Sequence, residues 1–197
     1  MDDHVHIIAC SVFKDAITYL ADWIADRPFT FRYLPSNLHL YPQNLKTQLL
    51  QSIQETKVAH SCMGCLYGQC FDTIDQDLLP ARVLRIPCCH CYEILLGSRR
   101  YHDIIAEEAG TFFVEKELLL DFDRLCRIPL ELDDSDLREL YFKHYHRLVY
   151  IRQPLDPDLS DQIHSVVELL KLELMVKDAD YTELKGFLGQ LDLWRKQ

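Results

Sequence analysis

The sequence lacks the glycine-rich loops that bind phosphate groups in common nucleotide-binding proteins. It contains only 6 glycines, and neither the GxGxxG pattern nor the GxxxxGK[ST] pattern occurs. The GxSxG motif is also absent, which argues against a serine hydrolase of the α/β type. We therefore expect no nucleotide cofactor held by these motifs.

Basic residues and long apolar runs are also scarce. The chain has 21 Lys and Arg against 31 Asp and Glu, a formal net charge of −10, which repels phosphate backbones and anionic lipid headgroups. No apolar run reaches the roughly eighteen residues that a transmembrane helix needs, and the first residues lack the basic region of a secretory signal. We expect a cytoplasmic protein without nucleic-acid or membrane partners.

Short apolar runs of strand length alternate with amphipathic helical segments along the chain. Predicted strands cover residues 6–13, 29–34, 81–87, 110–114 and 147–151, and a further strand begins at Lys57 and leads into a glycine-containing turn. Predicted helices cover residues 14–26, 133–144, 159–176 and 181–193, another begins at Pro42, and residues 92–101 form one helix or two.

This alternation indicates βαβ units and predicts an α/β fold. We expect a mainly parallel sheet with helices on both faces, in Rossmann-like layers without a dinucleotide motif. No segment has the composition of a linker, and 197 residues suit one core. The whole chain, residues 1–197, is therefore expected to form a single α/β domain.

The cysteines are unevenly distributed. Six of the 8 lie between Cys62 and Cys91, while Cys126 stands apart and is interpreted as a core residue. In the cytoplasm thiols stay reduced unless they bind a metal or carry out redox chemistry, which disfavours a disulfide scaffold. The cluster therefore indicates a metal or redox site.

Most of these cysteines are predicted to lie where strands end. Cys10 lies toward the end of the first strand, Cys62 and Cys65 just past the third, and Cys88, Cys89 and Cys91 just past the fourth, with His39 in the loop after the second. In open α/β sheets, ligands bind outside the carboxyl ends of the strands. The thiols are therefore expected to share one edge of the sheet.

The cysteine spacing is typical of a site for a soft metal. The two-residue gap between Cys62 and Cys65 allows two thiolates of one turn to bind one metal ion, and Cys70 adds a third sulfur. The triplet Cys89-His90-Cys91 offers thiolate, imidazole and thiolate. Zinc and an iron–sulfur cluster are both chemically allowed by such ligands.

Three other interpretations remain open. The protein could be a non-catalytic escort that holds a metal or metallocofactor and passes it to a partner. It could be a thiol-disulfide redox protein that uses Cys62 and Cys65. The cysteines could also be inert buried side chains, since free cysteine behaves as a small hydrophobic residue.

Several short motifs carry a family resemblance. They are Ile8-Ala-Cys10, Leu38-His39, Tyr67-Gly68-Gln69-Cys70, the run from Cys91 to Ser98 (CYEILLGS), and Gly110-Thr-Phe-Phe113. In order and spacing they resemble the successive motifs of the uncharacterised bacterial and archaeal family called domain of unknown function 1638. The resemblance covers most of the chain.

The resemblance implies a role near corrinoid or methyl-group metabolism, because members are often found beside corrinoid-dependent methyltransferase components. Corrinoid or methyltransferase-related proteins are the partners that this implies. The family's Cys, His and Cys positions fall on Cys10, His39 and Cys70, and its His-Asp-Cys triplet falls on residues 89–91. Here Cys89 replaces the His and His90 replaces the Asp, which softens one ligand and removes a carboxylate.

The sequence thus predicts an α/β protein that binds a metal ion or an iron–sulfur cluster at the carboxyl ends of its strands. The candidate metal ligands are Cys10, His39, Cys62, Cys65, Cys70, Cys89, His90 and Cys91. The expected inner set is Cys10, Cys70, Cys89 and Cys91. The sequence leaves open whether a bound metal would catalyse a reaction.

Overall fold

The strands of this chain form two parallel sheets, one of four strands and one of three. The structure is a computed structural model that describes residues 4–56 and 62–196. The described residues up to 94, together with 181–196, make one compact unit, and residues 95–180 make a second. The predicted α/β class with parallel strands is confirmed; the strands are divided between two sheets, and the single domain expected over 1–197 stays a prediction.

Helices and strands alternate through both units. In chain order they are β1 (Val5–Cys10), α1 (Lys14–Tyr19), α2 (Ala21–Ile24), β2 (Phe29–Leu34), α3 (Pro42–Thr56), β3 (Cys62–Leu66), α4 (Ile74–Leu78), β4 (Val83–Arg85), α5 (Cys91–Leu96), α6 (Ser98–Glu107), β5 (Thr111–Val114), α7 (Lys116–Leu120), α8 (Ser135–Phe142), β6 (Arg147–Arg152), α9 (Ser160–Leu170), β7 (Glu173–Asp178) and α10 (Thr182–Trp194). Among the described residues, no helix has the length and apolar character that a membrane span requires.

The first sheet has the strand order β2-β1-β3-β4. Strand β1 is an apolar run that is almost entirely buried, as expected for a parallel strand with neighbours on both sides. Val5 lies opposite Phe29 of β2 and Cys62 of β3, and Ala9 lies opposite Tyr33 and Leu66. The sheet is therefore built around β1 and β3.

The strand order places a topological switch point between β1 and β3. From β1 the chain adds β2 on one side, and then returns through α3 to add β3 on the other side. All four strands run in the same direction, so the segments that follow them meet at one edge. In such sheets this carboxyl edge beside the switch point is the usual place for a ligand.

The second unit packs its helices onto a three-stranded sheet of order β5-β6-β7. One face of this sheet contributes to an apolar core with α7 and α9. The buried members of that core are Val114, Leu118, Leu119, Phe122, Leu132, Leu148, Tyr150, Leu159, Ile163, Val166, Leu170 and Leu172. Burial of this surface is the main favourable term that holds the unit together.

A buried glutamate begins helix α7. The Glu115 side chain accepts hydrogen bonds from the backbone N–H groups of Glu117 (2.7 Å) and Leu118 (2.9 Å). These contacts satisfy two N–H groups that have no partner inside the helix. Glu115 is only 4% exposed, and burial, the dominant cause, raises its pKa from 4.5 to about 7. In the folded protein the Glu115 carboxyl group therefore loses its proton only near pH 7, rather than near pH 4.5.

The helix predicted over residues 159–176 is wrong in its last part. Helix α9 ends at Leu170, and Lys171 adopts a left-handed conformation with φ of 56°. The chain then enters β7, which pairs in parallel with β6 from Arg147↔Glu173 to Arg152↔Asp178. Pairing with a strand more than twenty residues earlier supplies hydrogen bonds that local periodicity does not reveal.

Two predicted strands are also shorter than expected. The first ends at Cys10, because Ser11–Phe13 forms a 3₁₀ turn, and the strand predicted over 81–87 is reduced to Val83–Arg85. The strand predicted to begin at Lys57 corresponds to β3, while residues 57–61 lie outside the described residues. The beginning of that predicted strand thus stays a prediction.

Glu115 gives a testable pH dependence. Its pKa in the folded protein is raised to about 7 from the 4.5 expected in the unfolded chain. The folded state therefore keeps a proton that the unfolded state releases, so this residue lowers stability as pH rises from about 4.5 to about 7, by about 3 kcal/mol in all. In Glu115→Gln this loss should be absent from denaturant unfolding curves measured across the range.

The control is Glu139→Gln, which changes an exposed glutamate of α8. This variant should keep the pH dependence of the parent protein. An unchanged pH dependence in Glu115→Gln would contradict the assignment.

Candidate functional site

Four cysteines lie at or just beyond the carboxyl ends of three neighbouring strands in the first sheet. Cys10 is the last residue of β1, Cys70 lies in the segment after β3, and Cys89 and Cys91 lie in the segment after β4. Cys10 is buried, Cys70 and Cys91 are half-buried, and Cys89 is exposed. This is the inner set expected from the sequence, and the topology places all four at the same edge.

The segments after β3 and β4 are joined by a backbone hydrogen bond and pack closely against each other. The Gln69 N–H donates a hydrogen bond to the Cys89 carbonyl oxygen at 2.7 Å. Beside it, Gly68 lies so close that a Cβ atom would be 2.6 Å from the Cys89 carbonyl oxygen and 2.8 Å from the His90 Cα. A glycine at this point thus lets the segments that carry Cys70 and Cys89 pack directly against one another.

The side chain of Arg85, the last residue of β4, connects the same two segments. Its guanidinium forms a bidentate pair with Asp75 of α4 (2.6 and 2.9 Å). It also donates to three backbone carbonyl groups, those of Tyr67 (3.2 Å), Ile86 (2.8 Å) and Cys88 (2.9 Å). The Arg85 side chain is 11% exposed and that of Asp75 is 61% exposed, so the guanidinium is shielded from water while its carboxylate partner stays in contact with it. Breaking these hydrogen bonds would leave a buried charge without partners.

Glu93 fixes the start of α5. Its carboxylate accepts the Cys89 N–H at 2.8 Å, and the residue is 4% exposed. A negative charge in the first turn of a helix also interacts favourably with the helix dipole. Glu93 therefore holds the backbone between Cys89 and Cys91, although it lies outside the predicted ligand set.

Burial keeps several thiols of this region protonated. Burial raises the pKa of the Cys70 thiol, and the charge of Arg85 acts in the opposite direction. Burial, reinforced by the charge of Glu93, raises the pKa of Cys88 to about 12. Cys88 is therefore a buried neutral thiol, which suits a packing role.

The predicted placement of Cys62 and Cys65 just past the third strand is wrong, because both residues lie within β3. Side chains three apart in an extended strand point to opposite faces, so they cannot bind one metal ion as two thiolates of a turn would. Cys65 is fully buried and lies within electrostatic range of Arg85 and Cys70. Cys62 shares a face with Gly64, which packs against Leu191 of α10.

Burial also raises the pKa of both of these thiols, strongly for Cys65 and less for Cys62. Neither is suited to nucleophilic thiol chemistry, which requires the thiolate. The geometry therefore gives Cys62 and Cys65 no common site, either for a metal ion or for a disulfide exchange.

The two candidate histidines are exposed at the same edge. His39 lies in a 3₁₀ turn after β2, and its Nδ1 is 2.6 Å from the Ser36 carbonyl oxygen. His90 lies between Cys89 and Cys91, and its carbonyl group accepts the Ile94 N–H at 3.2 Å. The turn that carries His39 contacts the segment after β1, since the Ser36 N–H donates to Ser11 Oγ at 2.9 Å.

The predicted ligands are not assembled into a closed metal site. Within residues 4–56 and 62–196, no three His, Cys, Asp or Glu side chains are grouped closely enough to hold a metal ion. The structure thus gathers the inner set on contacting or neighbouring segments without grouping three ligands in the described part of the chain.

Sequence reasoning missed Arg85 and Glu93, which shape the site without carrying its chemistry. Arg85 lies in a predicted strand, where its burial depends on the partner Asp75 in α4. Glu93 could have been found, because it follows His90 by three residues at the start of a helix, a spacing close to that of a capping box.

A second polar group lies at the carboxyl edge of the second sheet and was also missed. The Tyr150 hydroxyl donates to Asp156 Oδ2 at 2.6 Å, and the Gln153 N–H donates to the same oxygen at 2.8 Å. Asp156 Oδ1 is buried and has no hydrogen-bond partner among the described residues. Because this oxygen is closed off from solvent, we assign the group a structural role in the turn after β6.

The close approach at Gly68 predicts a clear effect of substitution. In Gly68→Ala the new Cβ would meet backbone atoms of Cys89 and His90, so the two segments must separate. We expect a loss of about 1–3 kcal/mol in the free energy of unfolding, measured with denaturant.

Gly186→Ala is the matched control in α10, where nothing lies within 4 Å of the new Cβ; it should stabilise the protein by about 0.5–1 kcal/mol. Equal stabilities of the two variants would contradict the packing.

Comparison with known proteins supports the family resemblance over a range that begins after the Ile8-Ala-Cys10 motif. Neither curated proteins nor solved structures include a match to this chain. The family model described as a protein of unknown function, DUF1638, matches residues 33–188. That range contains β3 and β4 with the segments that follow them, and the whole second sheet. The chain therefore belongs to the DUF1638 family of proteins of unknown function.

Proposed function

We propose that the carboxyl edge of the first sheet binds a zinc ion or an iron–sulfur cluster through the thiolates of Cys10, Cys70, Cys89 and Cys91. The observation that carries the proposal is that Cys10 ends β1 while the other three cysteines lie on the segments that follow the neighbouring strands β3 and β4. These two segments are in direct backbone contact. Thiolates are the ligands that zinc and iron–sulfur clusters prefer.

Binding would require the thiols to move together. The described residues hold no group of three potential ligands in place, so the metal must draw in side chains from at least two segments. Cys89 is exposed and Cys91 is half-buried at the first turn of α5, so a metal ion can reach the Cys89 thiol from solvent. The backbone beneath them is fixed by Arg85 and Glu93.

Arg85 would also favour the bound state electrostatically. Four thiolates around a divalent cation carry a net negative charge, and a buried guanidinium nearby offsets part of it. Arg85 acts electrostatically on Cys70 and Cys88 in the protein as described. Its contacts with the carbonyl groups of Tyr67 and Cys88 keep the positive charge beside the two segments that carry the ligands.

A second candidate function is that of a metal or metallocofactor escort. The exposed thiol of Cys89 favours it, since an accessible thiolate allows a second protein to take over the metal by ligand exchange. A catalytic site would instead retain its metal and keep one coordination position open. Neither function requires Cys62 or Cys65.

The cellular context follows from the same proposal. Reduced thiols persist in the cytoplasm, so we expect the protein to act there. Corrinoid or methyltransferase-related partners stay a prediction that derives from the family resemblance alone. A thiol-disulfide reaction between Cys62 and Cys65 is disfavoured by their positions on opposite faces of β3.

Metal content tests the proposed ligands. Protein purified without oxygen should contain about one zinc ion per chain, or iron with acid-labile sulfide, in elemental analysis. The double variant Cys70→Ala, Cys91→Ala should lose most of this metal because two of four ligands are removed. Cys126→Ala, in the second unit, and Cys62→Ala are the matched controls, and both should keep it.

Two results would contradict the proposal. One is a metal-free parent protein that also fails to take up zinc or to accept a reconstituted cluster. The other is a double variant that remains folded by circular dichroism and binds as much metal as the parent protein.

Chelator challenge separates the escort from a protein that retains its metal. Because Cys89 is exposed and the described residues hold no closed ligand group, we expect zinc-loaded protein to lose its metal rapidly to a chromophoric chelator. Cys89→Ser should lose its zinc faster still, because one of the four proposed ligands is removed. Slow release from the parent protein would exclude the escort and favour a retained metal. Release from Cys89→Ser at the rate of the parent protein would show that Cys89 is not a ligand.

A further inference from the structure

The second unit contains a cleft that is unrelated to the cysteine residues of the first sheet. It has a volume of about 770 Å³ and lies between α9 on one side and α7 with the segment after it on the other. The segment after α7 includes a π-helical turn, Asp123–Arg127. Such turns are rare and occur frequently at functional sites.

One wall of the cleft exposes large apolar side chains. Leu120, at the end of α7, is 57% exposed, and Ile128, just after the π-helical turn, is 70% exposed. Leu169 of α9 is half-buried in the opposite wall. Aliphatic side chains facing a concave surface are the usual anchor points for a partner's apolar residues.

The arginines of the cleft are already neutralised. Arg124 pairs with Asp121, and Arg127 pairs with Asp133 at 2.8 Å and with Asp123 at 3.5 Å. They therefore add little free positive charge to the cleft.

The α9 wall, in contrast, carries carboxylates that are not paired. Asp161 and Glu168 are exposed, and within the described residues neither makes an ion pair or a side-chain hydrogen bond. They are seven residues apart, two helical turns, and so lie on the same side of α9 at a separation of about 10.5 Å along its axis. This edge of the cleft is a negatively charged stripe.

We propose that this cleft binds a basic amphipathic helix of a partner protein. Its apolar residues, spaced three and four apart, would pack against Leu120 and Ile128, and two lysines or arginines seven residues apart would face Asp161 and Glu168. This is the arrangement in which a helix lies in a groove between helices. The charge of the stripe disfavours acidic segments, and the proposal does not depend on metal binding.

A library of helical peptides displayed on phage, selected against the full-length protein, tests this proposal. Enriched peptides should carry lysine or arginine at positions seven apart and leucine, isoleucine or phenylalanine at three- and four-residue spacing. Synthetic copies should bind in fluorescence anisotropy, and their affinity should fall with added salt.

Two pairs of substitutions separate the apolar and charged contributions. Leu120→Ser with Ile128→Ser should abolish peptide binding, while Leu140→Ser, at an exposed leucine of α8 away from the cleft, should not change it. Asp161→Asn with Glu168→Gln should weaken binding about tenfold at low salt. These last two changes are on the surface, so the fold should be retained, as checked by circular dichroism.

The proposal is overturned if no peptide is enriched, or if neutral or acidic peptides dominate. It is also overturned if the selected peptides bind the Asp161→Asn, Glu168→Gln protein as tightly as the parent protein. A concentration-dependent dimer whose formation is lost in Leu120→Ser, Ile128→Ser would instead assign the cleft to a second copy of the chain, and would likewise overturn it.

Discussion

The contacts of one buried guanidinium determine the shape of the carboxyl edge of the first sheet. Arg85 pairs with Asp75 and at the same time binds carbonyl groups that follow β3 and β4. The segments it joins are the ones that carry Cys70, Cys89 and Cys91. A buried charge is stable only when its partners are in place, so the positions of these cysteines depend on this interaction.

Around Arg85, several contacts hold the backbone of the site in place. Gly68 and the hydrogen bond from Gln69 to Cys89 pack the two segments together, and Glu93 fixes the first turn of α5. The sulfur atoms nevertheless form no closed group in the described part of the chain. A backbone held in place beneath an exposed thiol is suited to a metal ion that enters and leaves.

Local sequence patterns predict the bounds of those strands and helices whose conformation depends mainly on residues near them in the chain. Strands β2 and β6 and helix α3 were predicted at or near their bounds, because apolar runs and a proline at the first helical position mark them. Strand β7 was missed, because residues 171–176 continue the helical pattern of α9 and their strand conformation depends on pairing with β6.

The same distinction holds for the candidate site. The inner set of four cysteines follows from the order of strands and loops, which the sequence indicates. The placement of Cys62 and Cys65 depends on where β3 ends, and its pairing with β1 continues as far as Leu66. The roles of Arg85 and Glu93 arise from contacts across the fold and leave little local signal. The exposed Leu120 and Ile128 look in sequence like ordinary members of apolar segments, and only the packing of α7 and α9 shows that they face a cleft.

X-ray absorption spectroscopy at the zinc edge, on the full-length protein loaded with one equivalent of zinc, tests the central claim most directly. The account predicts a first shell dominated by sulfur at about 2.3 Å, which the Cys70→Ala, Cys91→Ala protein should not reproduce. A shell of oxygen and nitrogen alone in the parent protein would show that these thiols do not meet at a metal, and would contradict the account.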